Sequence, residues 1–327
     1  MVSMKKKIFS VCATLFCASV LAFLTVQTIR IDEKLAHVAR PSRLFNPKLI
    51  ENHCPPKKQW EVKSSSDLNR FARLICQQTL GWLGRGMQAV VFETQDQKYV
   101  VKFFQLGRLK DDEPRGFVRN LLSRESNEKR QERLAHREEI FSSSKMCFEE
   151  LQDETGIVYV HLNHSKDDLK YVKVVDRYGQ SHHIWADDTS FVVQKKARLL
   201  VPTLTSLMEK GQVNAAKGRI DQIFDLLLSL ARKGFVDNDD ALIRNNNMGL
   251  SDDRAIYIDT GHLYRAQNLD VAERMRYEFQ IRLEPLEKWL NVMYPELGAY
   301  YKDRRDAIMA MLVQEKEQKM APTAKGS

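Results

Sequence analysis

Apolar and polar positions alternate with period two over residues 89–93, give way to a polar stretch at 94–98 and resume in the apolar run 99–104. This pattern predicts two strands joined by a tight turn. Further strands are predicted over 157–162, 171–176, 182–184 and 191–194, with 177–180 as a turn. Residues 67–79 have the spacing of a short amphipathic helix. Residues 105–154 are dense in Arg, Lys and Glu but keep apolar positions at Leu134, Phe141 and Phe148, which predicts a helix with a solvated charged face. In 213–233 the positions Ile220, Ile223, Phe224, Leu227 and Ala231 predict a buried helix that ends at Gly234. Helices are also predicted over 271–293 and 304–317. Strands thus dominate the first half and helices the second, an α+β arrangement. No internal repeat is evident.

Against that pattern some residues stand out. Lys102 lies inside the apolar run Val100-Val101-Lys102-Phe103-Phe104, and an ammonium group is rarely fully buried unless something pairs with it. It therefore asks for an anion. Just upstream, Leu83-Gly84-Arg85-Gly86 gives a hairpin two residues without a Cβ, so its backbone N–H groups can lie close over phosphates. Downstream of the helix at 213–233 come Gly234-Phe235-Val236-Asp237-Asn238-Asp239, then Asn247-Met248-Gly249-Leu250, then Ile256-Tyr257-Ile258-Asp259-Thr260-Gly261. Carboxylate and amide side chains at such loop ends are hard oxygen donors.

In this order, and over about residues 80–265, these motifs resemble the ATP machinery of the protein-kinase-like family. The resemblance implies a bilobal α+β fold: an N-terminal antiparallel sheet lobe over residues 67–197 and a short helical C-lobe over 198–315, with Mg-ATP bound between them. It assigns Gly84, Gly86 and Val91 to the nucleotide and Lys102 to its phosphates. Glu138, four residues after Leu134 and three before Phe141, becomes the ion-pair partner of Lys102, and Gln194 falls at the hinge whose backbone would read adenine. Asp239 takes the place of the catalytic base, while Asn247 and Asp259 take those of the metal ligands.

The chain also departs from the family. Eight residues separate Asp239 from Asn247 where the family has five, and Asp240 with Asn245 restores that interval, so both pairs stay open. Asp237-Asn238 replaces His-Arg, Asp-Thr-Gly replaces Asp-Phe-Gly, and Arg244 is the candidate for the missing loop lysine. No Ala-Pro-Glu element follows Asp259. The resemblance is thus to divergent kinases of the bacterial effector, lipopolysaccharide-core or secretory type, with an unknown protein, sugar or lipid as acceptor. A catalytically inactive membrane-tethered pseudokinase is the alternative, and an unrelated interaction protein a third reading.

Composition adds compartment and partners. The 327 residues are 43% hydrophobic, enough for a sizeable core, and 51 basic against 43 acidic residues give a net charge of +8 that suits an acidic partner. No aromatic-basic interleaving or zinc-spaced Cys/His pattern is present, and adjacent His182 and His183 would point to opposite faces of a strand, so neither nucleic acid nor a His metal site is expected. Lys5-Lys6-Lys7 precedes the uncharged run 8–26, expected to act as a signal peptide or membrane anchor within residues 1–29. Residues 30–66, with Pro41, Pro47, Pro55 and Pro56, read as a linker, and 316–327 as a polar tail. Cys54, Cys76 and Cys147 are too few and odd in number for a disulfide framework, which favours a body in the bacterial or host cytosol, membrane-associated through the N-terminal segment, with an exported form as the alternative.

Overall fold

The computed structural model describes residues 45–51, 56–63, 65–86, 88–106, 127–166, 168–237, 242–243 and 247–320. The described residues from Pro47 onwards form one compact unit. The apolar run 8–26 lies outside the described residues, and among those described no helix is long and apolar enough to cross a membrane.

A seven-stranded sheet forms the first layer. Its strands are β1 (Thr79–Arg85), β2 (Ala89–Glu93), β3 (Tyr99–Phe104), β4 (Ile157–His161), β5 (Tyr171–Val175), β6 (Ser181–Trp185) and β7 (Phe191–Lys195), in the order β4-β7-β3-β2-β1-β5-β6. Alternating burial in β2 and the continuous apolar run of β7 fit one strand half-covered and one in the middle of the lobe. The sheet is not purely antiparallel, as the resemblance implied. After β4 the chain crosses to the opposite edge, so β5 arrives beside β1 in the same direction, with Thr79 opposite Lys173, and then turns back as the β5–β6 hairpin.

Helix α1 (Ser66–Cys76) is capped by Ser65, whose Oγ accepts the Leu68 N–H at 3.2 Å. Helix α2 (Asn127–Glu150) and the short α3 (Gln152–Thr155) lead into β4, and Gly156 takes the left-handed conformation (φ 65°) that ends α3. The stretch expected to be a linker is packed at two points: Ile50 is wholly buried, and Trp60 stacks edge-on against Phe141 of α2 at 5.4 Å. Proline content signalled a linker there, but two large apolar side chains held the segment to the core.

The second layer is helical: α4 (Leu200–Glu209), α5 (Val213–Arg232), α6 (Val271–Tyr277), α7 (Glu284–Met293) and α8 (Pro295–Met320). Ile220, Ile223, Phe224 and Leu227 of α5 are buried, and the Phe224 ring meets Phe279 and Tyr301 at 5.0 Å each. The helix expected over 271–293 is interrupted. A π-helical turn, Glu278–Arg282, follows α6, and Pro285 restarts the chain in the first turn of α7, where its missing N–H costs nothing. Among the described residues five short strands lie beside these helices: β8 (Arg198–Leu199), β9 (Phe235–Asp237), β10 (Met248–Leu250), β11 (Ala255–Tyr257) and β12 (Leu263–Arg265). They pair as β11-β10-β8 and β12-β9, which brings the ends of β10 and β11 under the large sheet. Cys76 and Cys147 are free and buried.

Candidate functional site

Between the sheet and these short strands lies a cavity of about 290 Å³, lined by Gly86, Ala89 and Val91 of the hairpin, Lys102 of β3, Val192 of β7, and Asn247 and Asp259 from below. Sheet register explains the upper wall. Lys102 is paired with Val91 on one side and Val192 on the other, so three side chains of one face look into the same space.

Antiparallel pairing explains the lower wall. Met248 of β10 is opposite Tyr257 of β11, and the Ile258 N–H donates to the Asn247 carbonyl at 2.7 Å, so the residue entering β10 sits beside the one leaving β11. Asn247 is buried there, whereas the Asp259 carboxylate is exposed, its Oδ1 accepting the Gly261 N–H at 3.3 Å.

Lys102 has an unusual partner. Its Nζ donates to the backbone carbonyl of Ile258 at 2.5 Å. Burial pushes its pKa down to about 8, opposed by the negative charge of Asp259. A cation so placed is stabilised by any further anion that enters the cavity.

Glu138 is not the partner of Lys102. It lies outside the cavity, half-exposed, paired with Lys57 Nζ at 2.9 Å. The buried arc of α2 runs through Arg137, Ile140, Phe141, Ser144, Cys147 and Phe148, and Glu138 is rotated away from it by one residue. Ile140 and Ser144 are what α2 presents to the cavity, and the neighbouring Ser143 Oγ donates to the Thr260 carbonyl, tying the helix to the Asp259 loop. Gln194 does not line the cavity either. Its buried amide donates to Thr155 O at 2.7 Å and Tyr257 O at 3.0 Å, joining the sheet to β11. The hinge beyond it is internally engaged: the Lys195 N–H donates to Gly156 O and the Lys196 N–H to Lys98 O, each at 2.8 Å. Gly84 is not in the lining, while Gly86 is. Asp239, Asp240, Arg244 and Asn245 lie outside the described residues.

Sequence reading missed several lining groups: Gln88, Phe104, Ile140, Ser144 and His262. Gln88 Nε2 and His262 Nε2 are 3.4 Å apart, and the Gln88 side chain covers Gly261 so closely that a Cβ there would collide with it. The glycine before His262 is the one signal that could have shown this approach. Among the described residues no group of three or more His, Cys, Asp or Glu side chains is placed to hold a metal. Mg²⁺ does not require one, since it keeps waters and phosphate oxygens and takes one or two protein oxygens, which Asn247 and Asp259 offer.

No protein-family model matches the chain, and no curated protein matches it. Solved structures similar to it include the bifunctional kinase-methyltransferase WbdD (16% identity, TM-score 0.33, covering 75% of this chain and 48% of that one). A monomeric form of WbdD is similar at 17% identity and TM-score 0.32, over 68% of this chain and 48% of its own. The Rio2 kinase from Chaetomium thermophilum, solved as an ADP/Mg²⁺-phosphoaspartate complex, is similar at 13% identity and TM-score 0.33, over 77% and 75%. The chain spans about half the length of the two WbdD chains. At such scores these likenesses carry no weight of their own, and the cavity must support any function.

Proposed function

We propose that this protein is a divergent kinase-like phosphotransferase that binds Mg-ATP in the cavity beneath its glycine hairpin. One observation supports this above the others: Lys102 enters the cavity with a carbonyl, not a carboxylate, as its hydrogen-bond partner, facing Asn247 and Asp259 across it. ATP would supply the phosphoryl group. Lys102 would hold its phosphates, Gly86 would leave room for them beneath the hairpin, and Asn247 and Asp259 would hold Mg²⁺. Asp239, or Asp240 if the shorter spacing applies, would orient the acceptor hydroxyl and take its proton. The acceptor is a protein, sugar or lipid.

The inactive alternative has an observation in its favour. The Lys195 and Lys196 N–H groups are engaged within the protein, and Gly249 presses on Ala197, where adenine would meet the hinge. A pseudokinase would keep the cavity without turnover.

Mg-ATP at millimolar concentration should raise the melting temperature of the wild-type protein, because a ligand bound by the native state alone stabilises it by mass action. Lys102→Ala and Asp259→Ala should lose that rise, and Asp239→Asn should keep it while abolishing phosphoryl transfer. Absence of any rise in the wild type sinks the reading. Binding without transfer to any acceptor selects the pseudokinase.

A further inference from the structure

The helical layer buries a second cation. Arg282, 1% exposed, closes the π-helical turn and donates from Nη2 to Asp237 Oδ2 at 2.7 Å and to Tyr257 Oη at 2.6 Å. Its Nη1 reaches both oxygens of Glu278, at 2.9 and 3.0 Å. Arg274 completes the cluster, pairing with Glu278 at 2.5 Å and donating to the Asp237 carbonyl at 3.3 Å. The Tyr257 hydroxyl in turn donates to Asp237. Two cations thus face two carboxylates, and the attraction of both acids for Arg282 outweighs the effect of burial and raises its pKa.

Stability alone is a poor reason for such a cluster. Apolar side chains of the same volume commonly do as well or better, because buried charges lose their hydration. Geometry offers another reason. Asp237 ends β9, and Tyr257 ends β11 two residues before Asp259. Tyr257 is also opposite Met248, next to Asn247, and the Asn247 carbonyl takes the Ile258 N–H. One planar guanidinium therefore fixes the strand end from which both oxygen ligands of the cavity project. Lysine could not do this, since it lacks the fork whose Nη1 holds Glu278 while its Nη2 holds Asp237 and Tyr257.

We propose that Arg282 is a positioning residue: through Asp237 and Tyr257 it sets the separation of Asn247 and Asp259, and so the affinity of the site for Mg²⁺, without touching metal or nucleotide. This rests on reading the cavity as a Mg-nucleotide site. Two full-length variants test it. Arg282→Lys keeps the charge and loses the fork, and Tyr257→Phe removes one hydroxyl while leaving the ion pairs in place.

Three quantities are measured: the melting temperature, the Mg²⁺ concentration that half-saturates ATP binding, and amide hydrogen exchange at residues 255–262 without ligand. Both variants should raise the Mg²⁺ midpoint, Arg282→Lys by about tenfold or more, as outer partners of metal ligands do. ATP affinity in the presence of a chelator should stay unchanged. Exchange at 258–261 should accelerate while that of β1–β3 does not. A lowered melting temperature with an unchanged Mg²⁺ midpoint and unchanged exchange overturns the proposal and leaves Arg282 a purely structural residue. Should Arg282→Lys not fold, Tyr257→Phe decides alone. Wild-type protein that binds no Mg-ATP defeats the proposed function, whereas the exchange measurement still shows whether Arg282 orders the strand end.

Discussion

Lys102 and Arg282 are both cations drawn out of water, one facing the cavity and one beneath it, and their surroundings could hardly differ more. Arg282 is met by two carboxylates and a phenol, with its pKa raised; Lys102 is met by a carbonyl, with its pKa lowered to about 8. A buried charge that the protein itself neutralises belongs to the scaffold. One left short of counter-charge, beside open space, marks where a ligand's charge is expected. The two residues are 180 positions apart in sequence yet hold opposite sides of the same strand end: Lys102 touches Ile258, and Arg282 touches Tyr257.

The contrast is broken most directly by removing each charge in turn. Arg282→Met removes the buried cation shared by Asp237 and Glu278 and should cost about 3–5 kcal/mol in urea unfolding, whereas Lys102→Met, which removes an under-compensated charge, should leave the protein at least as stable as wild type. Equal losses from the two would erase the distinction drawn here.

Gly249 packs beside Ile258, whose carbonyl holds Lys102, and a Cβ there would come within 2.6 Å of both the Ala197 and Ile258 side chains and 3.2 Å of the Arg198 carbonyl. Gly249→Val should therefore cost about 1–3 kcal/mol through overpacking. By shifting Ile258 it should also weaken the Lys102 contact, visible as a change in Mg-ATP binding. Wild-type stability in this variant would mean that the strand end has room to move.

Titration sharpens the comparison further. With the Lys102 pKa lowered from 10.5 to about 8, the folded protein holds fewer protons than the unfolded chain between those values. Its charge penalty is complete below pH 8 and is relieved as pH rises, so this residue makes stability increase from pH 8 towards 10.5. Nucleotide binding should run the other way. Phosphates favour the charged lysine, so affinity should fall with rising pH by up to about tenfold per unit, or 1.4 kcal/mol, above pH 8. Calorimetry in buffers of different ionisation enthalpy would register the proton taken up; Lys102→Met should abolish it. A flat profile across pH 7–10 argues that Lys102 does not meet the phosphates.

The smallest effect concerns Glu138. Its half-exposed pair with Lys57 should be worth less than about 1 kcal/mol, and Glu138→Ala should bind Mg-ATP as wild type does. Loss of binding in that variant would restore Glu138 as the partner of Lys102 in the bound state.

Local pattern determined a good deal by itself. The strands at 89–93 and 99–104, the turn between them and the helix ending before Gly234 were legible because period and turn chemistry act within a few residues. Lys102 was conspicuous for the same reason, a charge inside an apolar strand. Arg282 carried a similar mark, lying between Phe279, Ile281 and Leu283, but a cation in a helix is so commonly solvated that the signal was lost. The facing arc of α2 was misjudged by one residue, since in a helix each residue turns 100° and the charge-rich sequence left the apolar stripe faint. Three things were decided only by tertiary structure: β5 beside β1, the Lys57–Glu138 pair, and the Arg282 cluster that joins β9 and β11. Each depends on contacts between segments distant in the chain, and no spacing along a sequence encodes the direction from which a remote side chain arrives.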